Sequence, residues 1–395
     1  MKILVLNSGS SSMKFKLYDS GVAIASGLVD KIGESESNVK LKNLAKGGEI
    51  ERKEAVANHQ KAVKIIEDFF HESGILGSLA ELGGCGHRVV HGGKNLTKPC
   101  LIDDAVLAEI ERVAAIAPLH NPAHLVGMRA MLAAAPAVPN VAVFDTAFHA
   151  TLPPHAFMYP LPYELCEQQG IRKYGFHGTS HEFVSKKAAE FLGFAPSEFN
   201  AITLHLGNGA SVCAVQNGKS IDTSMGLTPL EGLMMGTRCG SIDPAVVPHL
   251  MRALNLNAEQ IDTLMNKKSG FLGVCGHNDL RDVENLANSG DERAKLALEM
   301  FVYRIVKTIG SYFAVLARVD ALVFTAGIGE NSDFIRLKVC EKLARLGFEI
   351  DETLNKGVRG ELKLISKANS LIKILIVPTD EEFAIAELTQ KLVKP

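Results

Sequence analysis

Residues 3–17 read Ile-Leu-Val-Leu-Asn-Ser-Gly-Ser-Ser-Ser-Met-Lys-Phe-Lys-Leu, and residues 201–215 read Ala-Ile-Thr-Leu-His-Leu-Gly-Asn-Gly-Ala-Ser-Val-Cys-Ala-Val. Each stretch is an apolar run, a turn of small polar residues and a second strand-like run, which predicts a β-hairpin. Glycine and serine at a hairpin tip let backbone N–H groups approach an anion closely. The two hairpins therefore predict a pair of loops that bind phosphate groups.

A second pair of segments indicates that more than the hairpin is duplicated. Residues 140–148 (Asn-Val-Ala-Val-Phe-Asp-Thr-Ala-Phe) and residues 320–328 (Asp-Ala-Leu-Val-Phe-Thr-Ala-Gly-Ile) both read as a buried strand that ends in a short polar turn. We therefore expect an α/β fold with two related lobes.

Proline spacing places the expected boundary between these lobes. Prolines cluster after residue 150, at Pro153, Pro154, Pro160 and Pro162. Such a cluster is typical of a domain boundary. We expect an N-terminal lobe at 1–150 and a C-terminal lobe at 151–381, with a last helix, about 382–395, that returns to the first lobe.

Two capping-box patterns predict where helices begin. Thr179-Ser-His-Glu182 precedes an apolar-periodic stretch that ends near Leu192, and Thr379-Asp-Glu-Glu382 precedes the last such stretch. In a capping box the first residue is the N-cap and the fourth bonds back to it. The sequence therefore predicts Thr179 and Thr379 as N-caps.

Composition excludes several classes of protein. The chain has 395 residues, a formal net charge of −2 and seven scattered cysteines without a C-x-x-C pair. No basic surplus points to nucleic acid or to an anionic membrane. No apolar run is long enough for a signal peptide or a membrane span, and unpaired cysteines suit a reducing compartment. We expect a cytoplasmic protein that binds neither nucleic acid nor membrane.

Eight motifs resemble one known family, in family order and over most of the chain. They are Asn7-Ser-Gly-Ser-Ser-Ser12, His87-Arg-Val-Val-His-Gly-Gly93, Pro118-Leu-His-Asn-Pro122, Phe144-Asp-Thr-Ala-Phe-His149, Tyr174-Gly-Phe-His-Gly-Thr-Ser-His181, His205-Leu-Gly-Asn-Gly209, Gly236-Thr-Arg-Cys-Gly240 and Phe324-Thr-Ala-Gly-Ile-Gly-Glu-Asn331. The sequence thus resembles the acetate kinase family.

The resemblance implies a fold and a reaction. The fold is the one shared by sugar kinases, actin and heat-shock seventy chaperones, in which two ribonuclease-H-like lobes from an internal duplication enclose a nucleotide cleft. The reaction is reversible, in-line transfer of the γ-phosphoryl group of ATP to acetate, with ADP and acetyl phosphate as products and Mg²⁺ as cofactor (Mn²⁺ is the alternative ion). The family acts as a homodimer.

Phosphoryl transfer to a carboxylate brings two anions together, so fixed cations are required. A guanidinium stays charged and binds carboxylate or phosphoryl oxygens bidentately. Arg88 and Arg238 each lie in a glycine-containing stretch rather than on an open helix face. The resemblance implies that Arg88 holds acetate and that Arg238 holds the transferring phosphoryl group.

His177 and Asp145 complete the expected catalytic set. His177 stands just before a predicted helix, whose positive end disfavours a charged imidazole and favours a neutral N–H donor to a phosphoryl oxygen. The resemblance assigns His177 this transition-state role and treats Asp145 as an acid or base. Acetate is already ionised near neutral pH, so we expect Asp145 instead to orient Mg²⁺ through water or to position Arg88.

The resemblance places the metal ligands at Asn7 and Glu381. Oxygen ligands suit Mg²⁺, which also retains water. The motif Thr-Asp-Glu-Glu-Phe departs from the family's Thr-Asn-Glu-Glu-Leu, which leaves Asp380 and Glu382 as alternatives to Glu381.

The nucleotide contacts expected from the resemblance lie in four segments. They are Ser10, Ser12 and Lys14; His205, Leu206, Gly207, Asn208 and Gly209; Asp279, Leu280 and Arg281; and Gly327, Ile328, Gly329, Glu330 and Asn331. Ser241 stands where the family often has an aspartate, which removes one carboxylate that could orient Arg238.

A small apolar pocket is expected to select the acyl chain, and the resemblance assigns it to Val90, Leu119, Phe176 and Pro229. One methylene is worth only about 1–3 kcal/mol of discrimination. The alternatives are therefore a propionate or butyrate kinase and, from another class, a non-catalytic ATP-gated clamp of the actin or chaperone type.

Overall fold

The computed structural model describes residues 1–118 and 120–394. The chain divides into two compact units: the first comprises Met1–Phe148 and Asp380–Pro395, and the second comprises His149–Thr379. In the described part of the chain, no helix is long and apolar enough to cross a membrane.

The strands, in chain order, are β1 Lys2–Ser8, β2 Ser12–Asp19, β3 Val22–Asp30, β4 Ser37–Asn43, β5 Glu49–Glu54, β6 Gly84–Val89, β7 Cys100–Leu101, β8 Asn140–Phe144, β9 Ala201–Leu206, β10 Ala210–Gln216, β11 Lys219–Thr223, β12 Ala321–Thr325, β13 Lys363–Leu364 and β14 Lys373–Ile376. The α-helices are α1 His59–Glu72, α2 Asp104–Val113, α3 Asn121–Ala134, α4 Pro154–Phe157, α5 Tyr163–Gln169, α6 Gly178–Leu192, α7 Val246–Leu254, α8 Ala258–Lys267, α9 Gly270–Cys275, α10 Leu280–Asn288, α11 Glu292–Val315, α12 Ala326–Asn331, α13 Asp333–Leu343, α14 Glu352–Asn355 and α15 Glu381–Val393. Short 3₁₀ turns lie at Leu79–Glu81, Ala147–Thr151, Pro196–Glu198 and Ala344–Leu346.

The two units contain the same arrangement of six strands. The first sheet has the order β5-β4-β3-β2-β1-β6-β8-β7, and the second has the order β11-β10-β9-β12-β14-β13. In each, three successive strands form an antiparallel meander, two further strands run parallel to the first, and a two-residue strand pairs antiparallel at the edge. The expected duplicated α/β fold is confirmed, and strands β4 and β5 are an addition to the first sheet.

One part of the sequence comparison is wrong. The sequence pairs residues 140–148 with residues 320–328, but strand order makes β8 the counterpart of β14, and β6 the counterpart of β12. Parallel strands buried on both faces are all continuous apolar runs, so their sequences do not distinguish neighbours in one sheet.

Successive apolar side chains of β1 point to opposite faces of the first sheet, and both faces are covered. Leu4 and Leu6 join the cluster that includes side chains of α1 and α3, whereas Ile3 and Val5 join the cluster that includes Ile385 of α15. Successive side chains of a strand point to opposite faces, so a strand covered on both faces needs an unbroken apolar run.

Glycines in β6 allow α15 to lie close to this sheet. A Cβ on Gly86 would lie 2.4 Å from Thr389 Oγ1 and 2.7 Å from Ile385 Cγ2, and one on Gly84 would lie within 3.3 Å of Val393 and Thr389. Side chains at these two positions would push the helix away. The last helix therefore packs on the first unit because β6 presents bare backbone to it.

The second sheet has an equivalent core. Val184, Ala188 and Ala189 of α6 pack with residues of β9, β12 and β14, including Ala201 and Val323. The small side chains of α6 let the helix approach the sheet closely. This packing fixes the first turn of α6, where candidate site residues lie.

Both predicted N-caps lie one or two residues from the observed ones. His177, not Thr179, is the N-cap of α6, in the left-handed conformation with φ 56°. Asp380, not Thr379, is the N-cap of α15, and its carboxylate accepts a hydrogen bond from the Phe383 N–H. Asp is at least as good an N-cap as Thr, so the sequence alone did not distinguish Asp380 from Thr379 as the N-cap.

Candidate functional site

Arg88 and Asp145 form an ion pair at the ends of two parallel strands of the first unit. Arg88 lies in β6 and Asp145 follows β8, the adjacent strand. Arg88 Nε donates to Asp145 Oδ1 at 3.0 Å, and Nη2 donates to Oδ2 at 2.7 Å. The carboxyl ends of parallel strands are where α/β sheets usually bind ligands. The pair therefore holds a guanidinium at this edge in a fixed orientation.

A second carboxylate lies near the same guanidinium. Glu381 is the first residue of α15, and its Oε2 lies 3.7 Å from Arg88 Nε. Burial alone would lower the pKa of the Arg88 guanidinium, but the charges of Asp145 and Glu381 outweigh burial and raise it. Burial raises the pKa of Glu381 despite the opposing charge of Arg88. An additional cation at this carboxylate would therefore stabilise its ionised form.

The two acidic neighbours of Glu381 bind other partners. Asp380 caps α15, accepts a hydrogen bond from Tyr18 and forms an ion pair with Lys16. Glu382 pairs with Lys14, and this pairing outweighs burial and lowers the pKa of Glu382. Of the three acidic residues at the start of α15, only Glu381 lies against Arg88.

The first hairpin places Asn7 beside the lysine of β2. Asn7 is directly opposite Lys14 in the antiparallel register, so their side chains share a face of the sheet. The turn between the strands is closed by the Gly9 N–H, which donates to the Ser12 carbonyl at 2.8 Å. Ser10 is an exposed residue of this turn.

The donor set in the first unit fits Mg²⁺ rather than a softer ion. Among residues 1–118 and 120–394, no group of three His, Cys, Asp or Glu side chains could hold a metal ion unaided. Mg²⁺ commonly takes one or two protein carboxylates and fills its shell with water and substrate phosphates. Glu381 and the Asn7 amide offer oxygen ligands of the required kind.

In the second unit, His177 is held in a strained backbone conformation. Its φ of 56° is in the left-handed region that favours glycine. Its Nδ1 is 2.9 Å from Ser211 Oγ, and its ring stacks on His205 with centroids 4.0 Å apart. Strain of this kind persists where surrounding structure enforces it and is common at functional sites.

His149 enforces part of this geometry. Its Nε2 is 3.0 Å from the carbonyl oxygen of Phe176, the residue before His177, and its Nδ1 is 2.8 Å from Ser220 Oγ. Gly175, with φ 75°, lies so close that a Cβ would be 2.7 Å from His149 Cδ2. Because a carbonyl only accepts, His149 carries its proton on Nε2.

Arg238 is held by neutral groups. Its Nη1 donates to the Pro229 carbonyl oxygen at 3.1 Å and lies 3.6 Å from Met235 Sδ. Within the described residues, no carboxylate forms an ion pair with Arg238. Burial lowers the pKa of this guanidinium. Arg238 is half-buried, and a partly desolvated cation without a countercharge is stabilised when an anion binds beside it.

Arg238 and His177 both approach the side of Gly209 on which a side chain would lie. A Cβ on Gly209 would lie 3.5 Å from Arg238 Nη1 and 3.6 Å from His177 Nε2. Its loop is fixed by the Gly236 N–H, which donates to the Asn208 carbonyl at 3.0 Å. The second hairpin tip therefore places bare backbone beside a guanidinium and an imidazole, as an anion site requires.

The short helix α12, which directly follows β12, is stabilised by side chains of its own residues. Glu330 accepts hydrogen bonds from the backbone N–H of Ala326 at 2.8 Å and of Thr379 at 3.1 Å. Asn331 Nδ2 donates to the Gly327 carbonyl at 2.8 Å. The side chains of the predicted nucleotide residues Glu330 and Asn331 thus stabilise α12, whereas a Cβ on Gly327 would meet nothing within 4 Å.

Asp279 and Arg281 pair with each other. Asp279 caps α10, and Arg281 donates to both of its carboxylate oxygens at 2.9 and 2.6 Å. Hydrogen bonds from Arg281 lower the pKa of Asp279 to about 2. Leu280 between them is buried, so its side chain belongs to the core.

The predicted acyl-pocket residues fall in both units. Val90 in the first unit and Phe176 in the second are buried, and Pro229 supplies the carbonyl that holds Arg238. Leu119 lies outside the described residues.

Two features of the second unit carried no usable sequence signal. Arg336 of α13 is fully buried and donates to the Gly329 carbonyl at 2.9 Å and to Asn355 Oδ1 at 2.7 Å. Burial lowers its pKa to about 10. Ser211 and His181 hydrogen-bond behind His177. A charged residue on a helix and a serine on a strand both resemble solvent-facing positions in sequence.

Comparisons with known proteins agree along the whole chain. Residues 2–387 match the acetokinase family. The chain is 62% identical over 395 residues to the acetate kinase of Campylobacter lari, with 100% of each chain covered.

Solved structures give the same result. The structure of Porphyromonas gingivalis acetate kinase matches with a TM-score of 0.95 and 45% identity over 100% of both chains. The structure of a propionate kinase from Francisella tularensis matches with a TM-score of 0.93 and 44% identity over 99% of both chains.

Proposed function

The chain belongs to the acetokinase family, and we propose that it transfers the γ-phosphoryl group of ATP to acetate, reversibly and in line, to give ADP and acetyl phosphate. The relatives named acetate kinase cover the full length of the chain at high identity. The observation that carries the proposal is the half-buried Arg238 guanidinium, which, like His177, lies near Gly209 at the tip of the second hairpin and has no carboxylate ion-pair partner among the described residues.

In this proposal the transferring phosphoryl group binds Arg238 and His177. In the transition state, the phosphoryl group carries negative charge on its equatorial oxygens. Catalysis consists of positioning this group and compensating its charge. Arg238 supplies the charge, and the His177 imidazole supplies an N–H donor. The bare backbone of Gly209 leaves room for the oxygens.

Acetate binds at Arg88 of the first unit. Asp145 occupies Nε and one hydrogen of Nη2, so the remaining N–H groups of the guanidinium are left for a carboxylate. Asp145 is then a positioning residue, which agrees with the absence of any proton to remove from acetate. Val90 would contact the methyl group.

Mg²⁺ would be held by Glu381 and Asn7. Asp380 and Glu382 are engaged with other partners, which favours Glu381 among the three acidic residues. When bound, the ion would neutralise nucleotide phosphate charge. Mn²⁺ has the same ligand preferences and is the alternative ion.

The second unit is proposed to bind the nucleotide. Phosphates would approach residues 205–209 at the second hairpin tip and residues 327–331 of α12, and Asp279 and Arg281 would contact the nucleoside. In the first unit, Ser10, Ser12 and Lys14 are separately proposed as phosphate contacts.

An acyl hydroxamate assay tests the proposed reaction. Acetate, ATP and Mg²⁺ are incubated with the protein, and hydroxylamine traps acetyl phosphate as acetohydroxamate. We expect product that depends on acetate, ATP and the metal ion. Folded protein that binds ATP but forms no hydroxamate would instead support the non-catalytic clamp.

A propionate kinase is the second candidate, because the similar Francisella tularensis structure carries that name. We expect kcat/KM to fall from acetate to propionate to butyrate, since Val90 is bulkier than glycine or alanine. A preference for propionate would reassign the substrate without changing the reaction.

A homodimer in the cytoplasm completes the proposal. Helix α7 has no buried residue, and its apolar stripe includes Val246 and Leu254, which are 36% and 60% exposed. A second copy of the chain would cover such a stripe. Light scattering is expected to give twice the chain mass for the wild type and the chain mass for Leu254→Lys. A wild-type monomer would contradict this assembly.

A further inference from the structure

A chain of hydrogen bonds leads from His177 into the core of the second unit. Ser211 Oγ is 2.9 Å from His177 Nδ1 and 2.8 Å from His181 Nε2. His181 Nδ1 is 2.7 Å from Thr203 Oγ1. Ser211, His181 and Thr203 are fully buried. These three side chains are therefore shielded from solvent.

Two proton arrangements place the Ser211 proton between the two imidazoles. In each of them the Ser211 hydroxyl, which has one proton and two lone pairs, donates to one imidazole and accepts from the other. Burial lowers the pKa of His181 well below its usual value, and His149 and His205 add to this effect. His181 is therefore neutral and has a single N–H. The orientation of Ser211 then fixes the tautomers of His177 and His181 together.

The first arrangement places the proton of His177 on Nε2. Thr203 donates to His181 Nδ1, His181 Nε2 donates to Ser211, and Ser211 donates to His177 Nδ1. In the reverse arrangement His177 Nδ1 donates to Ser211, and Nε2 presents a lone pair. The two arrangements differ in whether His177 Nε2, on the side of Arg238 and Gly209, carries a proton or a lone pair.

The chemistry of a bound anion distinguishes the two arrangements. His177 Nε2 lies on the same side of Gly209 as Arg238 Nη1. A phosphoryl oxygen there accepts a hydrogen bond from Nε2–H and is repelled by a lone pair. His177 is also the N-cap of α6, where the helix dipole disfavours a cationic imidazole. A neutral ring protonated on Nε2 satisfies both conditions.

We propose that Thr203, His181 and Ser211 are positioning residues that hold His177 in its neutral Nε2–H tautomer, so that it donates to the transferring phosphoryl group. The inference rests on the proposed function and deepens it at the same site. His149 is the useful contrast, because a backbone carbonyl fixes its tautomer directly. His177 is instead connected to Thr203 through Ser211 and His181, whose hydroxyl and imidazole groups can each donate or accept a hydrogen bond. Removing the Thr203 hydroxyl should therefore change the tautomer of His177.

The test measures the tautomer of His177 directly. The full chain labelled with ¹⁵N-histidine is studied by NMR in the presence of MgADP, and His177→Gln assigns the resonance. We expect a protonated Nε2 and an unprotonated Nδ1 in the wild type. Thr203→Val, which is nearly isosteric, should give a mixture of tautomers and lower kcat by about tenfold, with KM for ATP within twofold. Thr203→Ser retains the hydroxyl and should restore both readouts.

Two results would overturn the inference: protonation of His177 on Nδ1 in the wild type, or a loss of kcat in Thr203→Val with the tautomer unchanged. Ser211→Ala provides a second variant should Thr203→Val fail to fold, and it should lower kcat by about tenfold to a hundredfold with the same mixture of tautomers. Hydroxamate formation with an Nδ1–H tautomer would refute the relay alone, whereas absence of hydroxamate would refute the proposed function.

Discussion

The two units share a six-stranded arrangement, yet each surrounds its arginine differently. Arg88 in the first unit contacts Asp145 bidentately and has Glu381 nearby, so protein carboxylates compensate its charge. Arg238 in the second unit has a carbonyl and a thioether for partners, and in the described residues no carboxylate pairs with it. The same fold therefore holds one guanidinium whose charge protein carboxylates compensate and another that, within the described residues, only neutral groups contact.

The largest effect is expected for Arg238→Ala. Removing the charge that compensates the transferring phosphoryl group should lower kcat by about 10³-fold, with KM for ATP changed by less than about threefold. Steady-state hydroxamate assays measure both constants. Arg238→Lys keeps the charge without the planar fork and should recover only part of the rate. Near-normal turnover of Arg238→Ala would remove this residue from the mechanism.

A smaller effect is expected for Asp145→Asn. The substitution keeps the shape but removes the charge that orients Arg88, so KM for acetate should rise and kcat should fall by about tenfold to a hundredfold. KM for ATP should not change. Asp222→Asn is the control, because it breaks the part-buried Lys173–Asp222 pair outside the proposed site. Equal losses in the two variants would contradict a specific role for Asp145.

Gly209→Ala tests the side of Gly209 that Arg238 and His177 approach in the second unit. The added methyl group would make ordinary contacts at 3.5–3.6 Å with Arg238 and His177, so stability should change by less than about 0.5 kcal/mol. The methyl group would nevertheless occupy space proposed for phosphoryl oxygens, and kcat should fall by about tenfold. Gly310→Ala, on α11 with nothing within 4 Å, is the matched control and should leave kcat unchanged. Full activity in Gly209→Ala would place the phosphoryl group elsewhere.

The smallest effect concerns Glu381 and pH. Its pKa is raised in the folded protein, so between the unfolded value of about 4.3 and the folded value the native state binds more protons than the unfolded state. Stability therefore falls as pH rises through this window. Glu381→Gln should be slightly more stable than the wild type at pH 7, and the difference should vanish below about pH 4.3. Urea unfolding at several pH values measures this, and a variant less stable at pH 7 would contradict it.

Much of the fold was predictable because it depends on local patterns. The two hairpins, the 24-residue helix α11 and the last helix follow from apolar periodicity and from turn residues. Which strands correspond between the units was not predictable, because β8, β12 and β14 are similar apolar runs. The close approach of α15 depends on Gly84 and Gly86, which in sequence are only two glycines in a strand.

The candidate site was predictable where motifs are specific and less so where contacts are distant. The motifs around Arg88, His177 and Arg238 predict these three as site residues, and their roles stay a prediction. The Arg88–Asp145 pair needed strand order to be seen, since 57 residues separate the two. Ser211 and Thr203 carried no signal, because buried strand hydroxyls resemble ordinary sheet residues.

Paired unfolding of Arg88→Met and Arg238→Met in urea tests the contrast between the two guanidiniums most directly. Arg88→Met leaves Asp145 and Glu381 without a countercharge and should lower the free energy of unfolding by about 3 kcal/mol. Arg238→Met removes a half-buried charge that has no carboxylate partner in the described part of the chain and should cost no more than about 1 kcal/mol, the value of one hydrogen bond. Equal destabilisation by the two substitutions, or a greater loss for Arg238→Met, would contradict the account.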